Sequence, residues 1–92
     1  MPGRALDLLA IAQAAARYSA AVVDTRQRQQ DLSDGYAAWR QRMGHFDDIE
    51  RASPAWHAML AATAEQYRQL QNARGRQRRA QARLLRLAQP EV

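Results

Sequence analysis

The stretch from Leu8 to Phe46, LLAIAQAAARYSAAVVDTRQRQQDLSDGYAAWRQRMGHF, decides the fold of this 92-residue chain. Alternating steps of three and four residues through it meet an apolar or aromatic side chain at ten of twelve positions. These positions are Leu8, Ile11, Ala15, Tyr18, Val22, Thr25, Gln29, Leu32, Tyr36, Trp39, Met43 and Phe46. Such spacing is typical of a coiled-coil seam, and the many alanines favour helix. The stretch therefore predicts a long amphipathic helix.

One segment inside this stretch, Asp31-Leu32-Ser33-Asp34-Gly35, leaves two arrangements open. Asp31 or Ser33 is a suitable N-cap for a new helix, which would give a three-helix variant. However, the heptad spacing passes from Leu32 to Tyr36 without a change of phase, and a single internal glycine costs only about 1 kcal/mol. We therefore prefer one long helix, kinked near Gly35, over two helices split there.

A second arm begins at Ser53-Pro54, where serine suits the N-cap and proline the first helical position. A further stripe follows at Trp56, Leu60, Thr63, Tyr67, Leu70, Gln77, Gln81, Leu84 and Ala88. The sequence predicts a single all-α domain over residues 1–92, with a helix over about 4–47, a turn over about 48–53 and a helix over about 54–88. Its architecture is an antiparallel two-helix, coiled-coil-like hairpin.

The interior of this hairpin is uneven along its length. We expect its closed end to be the best-packed part, with a core built from Tyr36, Trp39, Trp56 and Leu60, and with Phe46 nearby. The alternative is that the aromatic residues there form a binding site for a partner. In the middle, Thr25 and Gln29 should face the 72–77 region of the second arm, where the side chains are polar. A polar middle section can fix the register of two helices but contributes little buried apolar area.

A second apolar edge accompanies the seam in the N-terminal half. Leu6, Leu9 and Val23 form this edge. It predicts self-association or docking on a partner, so we expect a homo-oligomer or a hetero-complex. The alternative is that the edge covers a third helix made from residues 34–46.

Charge is distributed unequally between the arms. The chain has 14 arginines, no lysine and nine acids; residues 1–50 have a net charge of −1 and residues 51–92 of +6. A helical projection places five arginines on one stripe opposite the seam: Arg68, Arg76, Arg79, Arg83 and Arg86. So many like charges on one helix face repel each other and predict an acidic partner, which we expect to be a protein surface. The alternative is a nucleic acid, whose phosphates the same arginines would bind without base specificity.

Catalytic and cofactor-binding patterns are missing from the sequence. It contains no cysteine, no glycine-rich phosphate loop and no short catalytic motif, so we expect neither an enzyme nor a cofactor. The segments Met43-Gly44-His45 and His57-Ala58-Met59 would suit a soft metal if the turn brought them together, but core packing of the two methionines is the simpler interpretation. No apolar run is long enough to span a membrane and no signal peptide is evident, which predicts a cytoplasmic protein.

The segment Tyr36-Ala37-Ala38-Trp39-Arg40 resembles the Tyr-x-x-Trp-Arg sequence of the coiled-coil stalk proteins of type III secretion and flagellar export. The basic helical-hairpin layout is similar as well, although members of that family are usually longer. The matched segment covers five residues. The resemblance implies a cytoplasmic factor that contacts an export ATPase and the chaperones of secreted proteins.

Overall fold

The computed structural model describes residues 6–89 as an elongated helical hairpin. Helix α1 (Leu8–Met43) forms the first arm, and α2 (Pro54–Ala62) and α3 (Ala64–Ala88) form the second; no strand occurs in this range. The radius of gyration is 19.8 Å, whereas a compact domain of this length has about 12 Å, and the molecule measures 67 × 21 × 18 Å. The predicted all-α antiparallel hairpin is therefore confirmed.

Both ends of α1 are fixed by specific caps. At the start, the Ala10 backbone N–H donates to the Asp7 carboxylate at 3.0 Å, so the helix begins at Leu8. The predicted start near residue 4 lies outside the described residues. At the other end Gly44 takes the left-handed conformation (φ 64°), and the His45 N–H donates to the Arg40 carbonyl at 2.9 Å. This conformation and this hydrogen bond are those of a Schellman cap, so α1 ends at Met43 and not near residue 47 as predicted.

The helix break lies in the second arm and not near Gly35, through which α1 is continuous. The second arm starts at the predicted cap, where the Trp56 N–H donates to the Ser53 hydroxyl at 3.1 Å. Ten residues later Thr63 interrupts it: the buried Thr63 hydroxyl donates to the Met59 carbonyl at 2.8 Å. Threonine hydroxyls that bond back to the preceding turn bend helices, which accounts for the boundary between α2 and α3.

The residues of the seam between the arms fall into two alternating sets, each repeating every seven residues. One set agrees with the prediction, and the other lies one residue earlier in the sequence than predicted. On α1 it consists of Ile11, Ala14, Tyr18, Ala21, Thr25, Arg28, Leu32, Gly35 and Trp39, all buried or half-buried. On the second arm it consists of Met59, Thr63, Gln66, Leu70, Ala73, Gln77, Ala80, Leu84 and Leu87, again all buried or half-buried. One predicted set on each arm is therefore correct. In the other set each residue is replaced by the one before it, which on α1 gives residues 14, 21, 28 and 35 instead of 15, 22, 29 and 36.

Small side chains explain the offset. On α1 the residues that replace the predicted ones include Ala14, Ala21 and Gly35, whose small size allows the arms to approach closely. The arms are closely packed at Gly35, because a Cβ there would lie 3.3 Å from the Thr63 methyl group. Larger apolar side chains such as Tyr36 are displaced from the centre of the seam to its margin.

Five large apolar side chains predicted to be internal are exposed, among them Leu8 at the start of α1 (74%). Leu60 is 37% exposed and Tyr67 51%, because the adjacent residues Met59 and Gln66 occupy the seam instead. Met43 and Phe46 are 60% and 75% exposed, since α1 ends at Met43 and the chain leaves the seam there. Of the predicted closed-end core, Trp39 is buried, Tyr36 and Trp56 are half-buried, and Leu60 lies outside it.

The middle of the hairpin is polar, as predicted. The Arg74 guanidinium donates to the Gln29 side-chain oxygen at 3.2 Å, which joins the two arms where the sequence placed them opposite each other. The buried apolar side chains of the described residues are few: Ala14, Leu32, Trp39, Met59, Leu70 and Ala73. Much of the apolar surface consequently remains outside the core.

Substitution by alanine should change the stability of the protein to different extents at the two helical glycines, Gly75 and Gly35. Gly75→Ala should stabilise the protein by about 0.5–1 kcal/mol, because its Cβ meets only the mobile ends of the Arg78 and Arg79 side chains. Gly35→Ala should gain much less, because its Cβ meets the methyl group of buried Thr63. Urea unfolding measures both. The Thr63→Ser variant lacks the methyl group, and in that variant Gly35→Ala should stabilise the protein about as much as Gly75→Ala does. An equal effect of Gly35→Ala with threonine and with serine at position 63 would contradict the contact.

Candidate protein-binding surfaces

Two of the five arginines predicted to bind a partner are already paired within the hairpin. Arg68 forms a two-pronged ion pair with Glu65, three residues earlier on α3. Arg76 reaches across to α1, where its guanidinium donates to the Asp24 carboxylate at 2.9 Å. Arg76 therefore lies beside the seam and not opposite it. The shift of the seam by one residue is what brings it within reach of Asp24.

Asp24 is the centre of a small charge network on one side of the hairpin. The hydrogen bond from Arg76 lowers the pKa of the Asp24 carboxyl, and the positive charge of Arg28 adds to the effect. The Arg28 Nε lies 3.4 Å from Asp24, and its Nη1 lies 3.7 Å from Asp31. In the pair on α3, the hydrogen bond from Arg68 similarly lowers the pKa of Glu65. These guanidinium groups serve the hairpin itself.

Three arginines of the predicted stripe remain without an acidic partner, and we call them the arginine row: Arg79, Arg83 and Arg86. All three are exposed, and no carboxylate of residues 6–89 lies within 4 Å of them. They belong to the open half of the hairpin, residues 6–23 and 77–89, which contains five arginines and one aspartate for a net charge of +4. The intervening residues 24–76 have eight arginines and seven acids. The positive charge of the molecule is thus concentrated toward its open end.

The predicted apolar edge on α1 is exposed. Leu6, Leu9 and Val23 have 44%, 69% and 61% of their surface in contact with solvent. Residues 34–43 continue α1 and form no third helix, so the alternative of an edge covered by such a helix is wrong. Leu85 on α3 is also exposed (53%), between Arg83 and Arg86 of the arginine row. The open half therefore combines exposed leucines with unpaired cations.

An aromatic groove of about 500 Å³ lies near the closed end, between α1 and the second arm. Its lining residues are Tyr36, Arg51, Trp56, Leu60, Thr63, Ala64 and Tyr67. The Arg51 guanidinium carbon lies 5.9 Å from the centre of the Trp56 ring, a cation–π distance. Sequence reasoning brought Tyr36, Trp56 and Leu60 together correctly but assigned them to the core. It missed Arg51, which lies in the connecting segment outside any periodic pattern.

The histidine–methionine pairs at the turn have different environments. The His45 ring is half-buried, 6.0 Å from the ring of Trp39, and the neighbouring Met43 is exposed. Met59 is buried in the seam, as its core assignment predicted, whereas His57 is exposed. Within residues 6–89 no three histidine, aspartate or glutamate side chains gather as metal ligands do. None of the three helices combines the length and hydropathy needed to cross a bilayer.

The Asp24 network makes stability depend on pH in a defined direction. Because the folded pKa of Asp24 lies below its ordinary value of 3.8, the stabilisation is present above that pH and is lost as pH falls through the lower folded value. Asp24→Asn should therefore cost about 1 kcal/mol or less at pH 6, since the carboxylate is 36% exposed, and less than that at pH 2. Urea unfolding at both pH values tests this. Arg76→Gln should reduce the same pH dependence; an unchanged profile in both variants would contradict it.

The chain matches none of the protein families, curated proteins or solved structures with which it was compared. The function of the chain is therefore argued from its own surfaces, chiefly the arginine row and the apolar edge, and from the sequence of residues 36–40.

Proposed function

We propose that this protein is a non-enzymatic interaction factor, an adaptor, chaperone or assembly component, that docks an acidic protein surface. The observation that carries the proposal is the arginine row, Arg79, Arg83 and Arg86, three exposed guanidinium groups without carboxylate partners among the described residues. Guanidinium groups bind carboxylates with two parallel hydrogen bonds, and unpaired like charges on one helix repel each other until a partner neutralises them. An acidic partner satisfies both requirements.

Exposed apolar residues in the same half favour a protein partner over a nucleic acid. Leu85, Leu6 and Leu9 are exposed at the same end of the hairpin as the arginine row. Phosphate binding by counterion release needs cations alone, whereas protein interfaces bury apolar side chains beside arginine. The edge of Leu6, Leu9 and Val23 would contribute to this assembly, either with the partner or between two copies of the chain.

A place in type III secretion or flagellar export is part of this proposal. Its support is the segment from Tyr36 to Arg40 together with the hairpin fold. In this chain Trp39 of that segment is buried in the seam, and Tyr36 lines the aromatic groove. The segment therefore supports the closed end, and the proposed docking through the arginine row does not depend on it.

The proposal is tested by affinity capture from the native host, with and without nuclease. We expect retained proteins to survive nuclease treatment and to be released as salt is raised, because the contact is electrostatic. Arg83→Gln together with Arg86→Gln should reduce the retained protein at least several-fold. The matched control, Arg42→Gln with Arg68→Gln, removes two exposed arginines outside the open half and should retain the partner. Loss of all bound material on nuclease treatment, or equal loss in both variants, would contradict the proposal.

A further inference from the structure

One side of the hairpin carries a second apolar stripe in addition to the seam. The residues of this stripe were predicted by the heptad spacing to be internal, but they lie along the margin of the seam. We call it the groove side; its apolar members are Leu8, Val22, Tyr36 and Met43 on α1 and Leu60 and Tyr67 on the second arm. Four of them are well exposed: Leu8 (74%), Met43 (60%), Tyr67 (51%) and Leu60 (37%).

Two contacts show that the marginal positions of both arms face the same side. Near the closed end, Tyr36 of α1 lines the aromatic groove together with Leu60 and Tyr67 of the second arm. Farther along, Gln29 and Arg74, which follow the same seven-residue spacing as Tyr36 and Tyr67, are joined by a hydrogen bond. In an antiparallel pair the residues flanking one edge of the seam meet across it. The marginal residues of both arms therefore share one side of the hairpin from the closed end to its middle.

The opposite margin of the seam is different in kind. There Asp24 and Asp31 of α1 interact with Arg28, and Asp24 also pairs with Arg76 of α3. The remaining positions of that margin are polar or small, with Arg17 and Ala38 on α1 and Gln69 on α3 among them. The middle of this margin is thus covered by ion pairs, whereas the groove side leaves apolar side chains uncovered.

The groove side is also purely basic. Arg51 lines the aromatic groove and Arg74 crosses its middle. One helical turn beyond Val22, Tyr36 and Arg74 come three more arginines, Arg26, Arg40 and Arg78. Within the helices no acid occurs at the marginal positions on this side, at the positions one turn beyond them, or among the residues that line the groove. Asp47, four residues beyond Met43, lies past the end of α1, and its backbone carbonyl accepts a hydrogen bond from Arg40. Along the helices a partner on this face therefore meets apolar side chains flanked by positive charge.

We infer that the groove side binds an amphipathic helix of another protein, with an apolar stripe flanked by acidic residues and an acid opposite Arg74. A groove between two antiparallel helices accepts a third helix through side chains at seven-residue spacing. From Leu8 to Tyr36 the face extends about 42 Å, which matches about 28 helical residues. A second copy of this chain does not fit, because two such faces would place Arg26, Arg74 and Arg78 against their own counterparts. This surface is distinct from the arginine row, so the inference goes beyond the proposed function.

The test uses a synthetic peptide as the probe. We would use a 28-residue peptide with leucine at heptad positions a and d, glutamate at e and g, one central glutamate within the leucine stripe, and alanine or glutamine elsewhere. A matched peptide carries lysine in place of each glutamate. Isothermal titration and the fluorescence of Trp56, which lines the groove, report binding. The glutamate peptide should bind at least tenfold more tightly than the lysine peptide at low salt.

Variants of the protein locate the binding. Leu60→Ser combined with Tyr67→Ser removes two exposed apolar contacts and should weaken binding of the glutamate peptide at least tenfold. Leu9→Ser combined with Val23→Ser removes exposed apolar area from the outer face of α1 and should leave it unchanged. All four side chains are exposed, so both variants should fold, which circular dichroism checks.

Three results would overturn the inference: no binding of either peptide, equal binding of both, or equal loss in the two protein variants. A dimer of the free chain that dissociates in the Leu60/Tyr67 variant would also overturn it, because a second copy would then occupy the groove side. The arginine row is untouched in these variants. Capture of an acidic partner through Arg83 and Arg86 can therefore succeed or fail independently of the peptide result.

Discussion

Gly35 faces Thr63 across the seam, and this close contact is the constraint on which the hairpin depends. A Cβ at position 35 would lie 3.3 Å from the Thr63 methyl, so only glycine allows this approach without a shift. The buried Thr63 hydroxyl bonds back to the Met59 carbonyl, which bends the second arm at the same point. Gly35 thus allows the arms to pack closely at the point where α2 gives way to α3. Small residues such as Ala21 and Gly35 occupy the seam, and larger ones are excluded to its margin.

The excluded residues are what give the molecule its surfaces. Tyr36, Leu60 and Tyr67 are apolar and large, and at the margin of a closely packed seam they remain partly exposed. On the other margin, Asp24 meets Arg76, and the charges neutralise each other. A symmetric two-helix hairpin would bind equally on both sides. This one has an apolar, basic side and a side with ion pairs, and we propose that a partner helix binds only the first.

Much of the fold could be predicted from the sequence because helix boundaries and periodicity are local properties. Ser53-Pro54 and the three-and-four spacing define the arms without reference to any tertiary contact. The facing of Gln29 and Arg74 followed from antiparallel counting and is confirmed. The phase of the seam could not be obtained in this way. Hydrophobicity favours Val22 and Tyr36 as internal residues over Ala21 and Gly35, whereas close packing of two helices favours the small ones.

The candidate surfaces were predictable only in part for the same reason. Clustering of Arg79, Arg83 and Arg86 is visible in the sequence, but the pairing of Arg76 with Asp24, 52 residues apart, depends on the phase of the seam. The groove at the closed end was missed because its aromatic residues were assigned to the core. Arg51 gave no periodic signal at all.

The phase of the seam can be measured directly by cysteine accessibility, since the chain has no cysteine of its own. Single cysteines at Met59 and Leu60, and at Ala14 and Ala15, compare adjacent positions on each arm. With a thiol-reactive probe under native conditions, positions 59 and 14 should be protected, and positions 60 and 15 should react at nearly the rate of the unfolded chain. Protection at 60 and 15 with rapid reaction at 59 and 14 would contradict the offset seam and the groove side that depends on it.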